Sequence, residues 1–171
     1  REITNSVVIG KNNLSNVTSE NGVIIGNNIG IATDGAVSNH VGLVNGICIG
    51  RNIFNNTTKQ LNYYNTYPIL IGENILSLNV EESGNSQPNA AIVIGLDAAK
   101  RRISGHYDIY IGYGAGQGTE NQSLIANPNG DLGGIGGSNI MLGFDAGRWM
   151  SRPKRSVVIG HIAGTTVAAD D

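Results

Sequence analysis

Two short stretches of the sequence combine aromatic and polar side chains in the manner of carbohydrate-binding surfaces. The predicted glycan-binding residues are Tyr63, Tyr64 and Tyr67 in the first stretch and Arg148, Trp149 and Arg152 in the second. A sugar ring stacks on an aromatic face while its hydroxyl groups bond to nearby amides and charges. The same side chains could instead cover an edge of the fold or a subunit interface, and the sequence leaves both readings open.

Acidic residues raise the question of catalysis, because two carboxyl groups several ångströms apart are the usual machinery of glycoside hydrolysis. The candidate acids are Glu81, Glu82, Asp97, Asp108, Asp131 and Asp145. Asp97 and Asp145 occupy a position that holds asparagine in most other repeats of this chain. We therefore expect each to bond to the backbone of its turn, or to cap a single helical turn. Glu81 and Glu82 are expected to form a solvated pair on the surface. The sequence predicts a protein without enzymatic activity.

Metal and cofactor sites are not predicted. His40, His106 and His161 are isolated, and none has a partner at metal-ligand spacing. Cys48 lies in an apolar run and is expected to be a buried small hydrophobe. A net charge of −2 argues against a nucleic-acid partner, since such binding depends on neutralising phosphates.

A four-residue phrase, three apolar residues followed by glycine, must position all of these side chains. It occurs at residues 7–10, 23–26, 47–50, 69–72, 92–95, 109–112, 140–143 and 157–160. An apolar run rich in Val and Ile and closed by glycine is typical of a short strand that ends in a tight turn. Repetition at this scale indicates one small unit stacked on copies of itself, with longer repeats carrying loops.

The middle residue of each phrase faces away from its two neighbours, because side chains alternate along a strand. The middle residues are Val8, Ile24, Cys48, Leu70, Val93, Tyr110, Met141 and Val158. These residues and their neighbours are apolar, so both faces of the strands are expected to be buried. One face can fill the coil of the chain itself, and the other requires further copies of the chain; which face does which stays open.

Composition agrees with a coil of many tight corners. The chain of 171 residues contains 25 glycines, is rich in asparagine and has only 14% charged residues. Glycine and asparagine are the residues that tolerate left-handed turn conformations. The sequence thus predicts an all-β, parallel β-solenoid as a single domain over residues 1–171, which we expect to be a fragment of a longer fibre protein.

The repeats resemble two related families. Residues 5–10 (Asn-Ser-Val-Val-Ile-Gly) and 155–164 are similar to the left-handed β-roll of trimeric autotransporter adhesin heads and to the Ile-Gly-x-x-Ala-Gly repeats of bacteriophage tail fibres and tailspikes. Residues 111–116 and 142–147 look closest to the phage version. The irregular spacing departs from adhesin heads, whose coils are shorter and regular.

What the phage resemblance implies is a homotrimer carried on the virion. It would form a stiff shaft that joins other tail proteins, and its surface loops would contact polysaccharide or lipopolysaccharide of the host cell. Two alternatives stay open. One is the head of a trimeric adhesin on a bacterial outer surface, and the other is a tailspike that depolymerises glycan with carboxylates at a subunit groove.

Overall fold

A computed structural model describes residues 3–13, 18–29, 31–32, 42–53, 55–57, 64–66, 68–75, 90–100, 107–118, 138–150, 153 and 155–165. Within these ranges the regular structure is entirely β, with no helix, so the predicted all-β class is confirmed for them. No helix in the same ranges is long and apolar enough to cross a membrane.

The strands are short and follow the repeated phrase. They are β1 (Ile3–Thr4), β2 (Val7–Lys11), β3 (Thr18–Glu20), β4 (Val23–Asn27), β5 (Ile31–Ala32), β6 (Gly42–Val44), β7 (Ile47–Arg51), β8 (Asn55–Thr57), β9 (Tyr64–Thr66), β10 (Ile69–Glu73), β11 (Ile92–Leu96), β12 (Ile109–Ile111), β13 (Ile140–Leu142) and β14 (Val157–Ile159). Eight of them contain the phrase, and those eight form one sheet.

This long sheet is parallel and in register from end to end. Its order is β14-β13-β12-β11-β10-β7-β4-β2, so strands of successive phrases are neighbours. Each phrase residue pairs with its equivalent: Leu70, for example, lies between Cys48 and Val93. Two further parallel sheets, β1-β3-β6-β9 and β5-β8, stack in the first half of the chain. This is the strand arrangement of a β-solenoid.

The glycine that closes each phrase is required by the stacking. Gly72 has a φ of 143°, a conformation that L side chains rarely adopt, and a Cβ added there would lie 2.0 Å from the carbonyl oxygen of Gly95 in the next coil. Any side chain at this position would therefore collide with the neighbouring backbone. The same close approach recurs at every phrase glycine except Gly160 in the last strand, which explains why these phrases end in glycine.

The asparagines two residues after the phrase glycines form a ladder of side-chain hydrogen bonds between successive coils. Asn28, Asn52 and Asn74 all have φ between 53° and 57°, the left-handed conformation that asparagine tolerates. Asn28 Nδ2 donates to Asn52 Oδ1 at 3.3 Å, and Asn52 Nδ2 donates to Asn74 Oδ1 at 3.1 Å. The corners of successive coils are thus hydrogen-bonded to one another through their side chains.

Asp97 continues this ladder, which corrects the expectation of a helix cap. Its φ of 57° is left-handed, and its Oδ1 accepts a hydrogen bond from Asn74 Nδ2 at 3.0 Å. The expected helical turn is absent from residues 97–100, where a single bond from Lys100 N to Asp97 O at 3.2 Å closes a turn. The side chain bonds to the neighbouring coil because the stacked corner places an amide within reach.

The interior of the coil is filled by the middle residues of the phrases. Ile24, Cys48, Leu70, Val93, Tyr110 and Met141 are buried. They share the core with the residues three positions after each glycine, which are Ile29, Ile53, Ile75, Ala98, Ala115 and Ala146. Burial raises the pKa of the Cys48 thiol well above its ordinary value, because the thiolate would lose its hydration.

Middle residues at the two ends of the sheet are less protected. Val8 is 37% exposed, and Val158 is half-buried. Their strands, β2 and β14, are the end strands of the sheet and have a neighbour on one side only. The difference from the inner coils follows from position in the stack.

A buried polar network fixes the start of β12 and β13. Asp108 is fully buried; its Oδ2 accepts from the Tyr110 hydroxyl at 2.8 Å, and its Oδ1 accepts from the Asn139 backbone N–H at 2.8 Å. Asn139 Nδ2 also donates to Asp108 Oδ1 and to the Pro153 carbonyl oxygen, each at 3.1 Å. Hydrogen bonds to a buried carboxylate offset its desolvation, so this network accounts for an acid inside the coil.

Candidate interaction surface

The outward face of the long sheet carries two unbroken rows of aliphatic side chains. They are the first and third residues of each phrase, on the side opposite the buried middle residue. The first row is Val7, Val23, Ile47, Ile69, Ile92, Ile109, Ile140 and Val157. The second row is Ile9, Ile25, Ile49, Ile71, Ile94, Ile111, Leu142 and Ile159. We call these the aliphatic rows.

These rows remain open to solvent in the single chain. Most inner residues are half-buried, Ile47 and Ile111 are exposed, and Val7, Ile9, Val157 and Ile159 at the two ends are at least half exposed. A parallel sheet normally has both faces covered, and a continuous apolar face of this kind marks an interaction surface.

A third row runs beside the second and changes character halfway along the sheet. It consists of the residue after each glycine: Lys11, Asn27, Arg51, Glu73, Leu96, Tyr113, Phe144 and His161. The first five residues of this row are paired with one another in the strand register. Further along, backbone hydrogen bonds join the same positions, because Gly114 N donates to Leu96 O and Asp145 N donates to Tyr113 O. The first half is polar, and Arg51 and Glu73 form an ion pair within it. The second half is apolar and aromatic.

The three rings of the third row form a stack. The ring centroids of Tyr113 and Phe144 are 4.9 Å apart with an interplanar angle of 14°, and those of Phe144 and His161 are 5.1 Å apart at 20°. These spacings match the separation of neighbouring strands, about 4.8 Å, so the sheet itself sets the stack. Tyr113 and Phe144 are 41% and 45% exposed. Sequence reasoning missed this stack, although the signal was present as an aromatic or imidazole ring after three of the phrase glycines.

Of the predicted glycan-binding residues, Arg148 and Trp149 are brought into contact. The guanidinium carbon of Arg148 lies 4.5 Å from the centroid of the Trp149 ring, the geometry of a cation–π interaction. Arg148 Nη1 also donates to Asp145 Oδ2 at 2.8 Å, so its charge is partly compensated within the chain. Tyr64 belongs to β9, but its side chain, together with Tyr63, Tyr67 and Arg152, lies outside the described residues.

Asp97 and Asp145, two of the acids considered for catalysis, bond to side chains at the corners of the coils. Asp97 Oδ2 bonds to Lys100 Nζ at 3.1 Å, in addition to the bond from Asn74. Asp145 bonds to Arg148, and its Oδ1 is buried with no hydrogen-bond partner among the described residues. That oxygen occupies the space left by a glycine, since a Cβ added at Gly114 would lie 2.1 Å from it. Neither acid bonds to the backbone of its own turn in the way the sequence suggested.

In the part of the chain that the structure describes, no group of three His, Cys, Asp or Glu side chains could hold a metal ion. His161 is the described histidine, and it belongs to the aromatic stack. His40 and His106 lie outside the described residues.

Comparison with known proteins adds no relative: no family model, no curated protein and no solved structure matches this chain.

Proposed function

We propose that this chain is a shaft segment of a homotrimeric bacteriophage tail fibre or tailspike, in which three copies close their aliphatic rows on one another. The observation that carries the proposal is the pair of Val/Ile/Leu rows along all eight strands of the long sheet, which stay partly or fully exposed in the single chain. Water contact with such a surface is unfavourable along its whole length, so association with identical surfaces is the simplest way to cover it.

The size of the face supports association. Eight strands span about 34 Å, and the two aliphatic rows with the apolar half of the third row cover about 340 Å² per copy. A single patch of this size is at the level of the largest apolar patches on monomeric proteins. In a ring of three, these faces sum to about 1,000 Å² of footprint, which is shared among three pairwise contacts.

The number three comes from the resemblance of the repeats, and a closed ring is compatible with it. In a ring of three, each copy contacts two neighbours, so the two aliphatic rows can each meet a different partner. A face-to-face pair would cover the same rows. The mass of the particle in solution distinguishes these arrangements.

In this proposal, host glycan binds to the surface that the association of the aliphatic rows leaves exposed. Among the described residues, Trp149 offers a ring that is 39% exposed beside the guanidinium of Arg148. An aromatic face next to a cation suits a sugar ring that carries an anionic group. Three copies along one rod would turn weak single contacts into firm attachment to lipopolysaccharide or capsule.

A structural role for Asp97 and Asp145 fits this proposal better than catalysis. A general acid or nucleophile must be free to reach the glycosidic oxygen or the sugar ring. Both carboxylates instead bond to neighbouring basic side chains, Lys100 and Arg148. Their bonds support the reading of a binding segment without hydrolytic activity.

The experiment is the mass of the native particle by sedimentation equilibrium, for the chain and two variants. We expect three times the chain mass at micromolar concentration. Ile71→Asp places a charge in the middle of the second aliphatic row and should yield single chains, because burying an unpaired carboxylate costs several kcal/mol, of the order of 3–5.

The matched control is Ile162→Asp, which makes the same replacement at an exposed corner outside the three rows. Its position is held by aspartate in two other repeats, at Asp97 and Asp145, so the variant should retain the mass of the wild type. A well-folded wild type that sediments as a single chain at every concentration would contradict the proposal.

A further inference from the structure

Two asparagine–glycine pairs occupy the same corner in successive coils, Asn21-Gly22 just before β4 and Asn45-Gly46 just before β7. A third pair, Asn129-Gly130, lies outside the described residues. We infer that Asn45 is a site of spontaneous covalent modification in the folded chain, where the Gly46 nitrogen attacks the side-chain amide. The same chemistry is suppressed at Asn21 by the hydrogen bonds of its corner.

The reaction needs only the residue pair and water. Gly46 N gives its proton to water and forms a bond to Cγ of Asn45, and the side-chain nitrogen leaves as ammonia with a proton from water. Water then opens the cyclic succinimide at either carbonyl, which yields aspartate or isoaspartate. Both reacting groups belong to one short stretch of chain, so their encounter is intramolecular, and glycine has no side chain to shield its nitrogen.

The two corners have the same backbone contacts and therefore form a matched pair. In each corner the asparagine N–H donates to the preceding coil and the glycine carbonyl oxygen accepts from it, and all four N···O distances are 2.9 Å. Asn21 and Asn45 are both exposed, with left-handed φ of 51° and 53°, and the glycine after each is buried. A difference in reactivity must come from the side-chain hydrogen bonds.

The attacking nitrogen is hydrogen-bonded in one corner and free in the other. Gly22 N donates to Ser6 Oγ at 3.0 Å, and that hydroxyl is itself held by its bond to Thr4 O at 2.9 Å. The residue beside Gly46 in the preceding coil is Gly22, which has no hydroxyl, and Gly46 N has no hydrogen-bond partner among the described residues. Attack by Gly22 N must break a bond that attack by Gly46 N does not.

The attacked amide differs in the same direction. Asn21 Nδ2 donates to Asn45 Oδ1 at 3.1 Å, so the leaving nitrogen of Asn21 is held by a hydrogen bond. Asn45 Nδ2 donates to no group in the described ranges, and its Oδ1 receives the bond from Asn21. Negative charge develops on this oxygen when the nitrogen attacks Cγ, and a donor already in place stabilises it.

The isoaspartate product would alter the stacking of the coils. It moves the side-chain methylene carbon of residue 45 into the main chain, between β6 and β7, which belong to different sheets. The corner would then be longer than the corner of Asn21, whose coil it must match in register. Modification of Asn45 thus introduces a mismatch between two stacked coils.

The test follows Asn21 and Asn45 in the same molecules of the full chain during incubation at neutral pH. Peptide mapping by mass spectrometry separates the asparagine, aspartate and isoaspartate forms at each position. A parallel sample in guanidinium chloride removes the corner hydrogen bonds. Heavy-oxygen water identifies the succinimide route, because opening the ring takes up an oxygen atom from water.

We expect Asn45 to be converted at least about fivefold faster than Asn21 in the native chain, because the reaction at Asn21 breaks two additional hydrogen bonds. In denaturant the two rates should agree within about threefold, which is the range left by local sequence. Equal native rates, a faster Asn21, or no conversion of Asn45 while the denatured chain reacts would overturn the inference.

Replacing Ser6 tests the bond that protects the first pair. Ser6→Ala removes the acceptor of Gly22 N and should raise the rate at Asn21 at least about threefold, with the rate at Asn45 unchanged. Ser6→Thr keeps a hydroxyl group and is the matched control, at which Asn21 should stay slow. A folded Ser6→Ala chain with a slow Asn21 would contradict the inference, and circular dichroism checks the fold. If Ser6→Ala does not fold, the native comparison of Asn21 with Asn45 decides alone.

Discussion

Glycine is the residue on which the stacking of the coils most directly depends. At Gly72 two constraints coincide: a φ of 143° and the carbonyl oxygen of Gly95, which occupies the place of a side chain. At Gly160 only one constraint is present among the described residues, because φ is 128° but an added Cβ meets nothing closer than the Ala163 Cβ at 3.6 Å. The two positions therefore separate backbone strain from steric collision.

Replacing each of these glycines by alanine measures the difference. Gly72→Ala should lower the free energy of unfolding by about 3 kcal/mol or more, since strain of about 1–3 kcal/mol is combined with a collision. Gly160→Ala should lose the strain contribution only. Chemical denaturation of both variants provides the comparison, and equal losses would show that the close approach of coils has no energetic weight.

At the scale of a coil, the strand and its corner are matched in size. A Cβ at Gly147 would lie 2.2 Å from the Met141 Sδ, and one at Gly116 would lie 2.4 Å from the Tyr110 ring. In the coil of β11 the middle residue is the smaller Val93, and the corresponding corner residue is Ala99, with a φ of 51°. In these three inner coils the large middle residues go with glycine and the small one goes with alanine, whereas the end coil combines Val158 with Gly164.

This matching predicts a rescue. Gly147→Ala alone should destabilise the chain by about 2–4 kcal/mol, because the added methyl group overpacks the coil against Met141. Adding Met141→Val should restore part of that loss by reproducing the Val93 and Ala99 pair. A double-mutant cycle of unfolding free energies measures the coupling, and strictly additive effects would argue against a shared packing site.

Element by element, the strands were predictable and their lateral contacts were not. The phrase ending at Gly50 or Gly72 specifies a short strand and its corner from local residues alone, so in-register stacking follows from repetition. The stack of Tyr113 and Phe144 was missed because 31 residues separate them in sequence, and only the strand register brings them together. Asp97 was expected to bond to its own turn or to cap a helical turn, and its bond to Asn74 was missed because it also crosses between coils.

For the whole molecule, folding and association are expected to be linked. A single chain leaves its aliphatic rows in water, so the assembled state should be the more stable one. The midpoint of thermal unfolding should rise with protein concentration, as mass action requires when the native state is an oligomer. Scanning calorimetry over a hundredfold range of concentration tests this, with Ile71→Asp expected to show a midpoint that does not depend on concentration.

The in-register pairing of every phrase also means that rod length can change without a change of cross-section. Removing residues 96–112 would join Gly95 to Tyr113 and take out one whole repeat, and the strands on either side would present equivalent side chains to each other. The rod would shorten by one strand spacing, about 4.8 Å, while the remaining rows stayed aligned. Gain or loss of such units offers a simple genetic route to solenoids of different length.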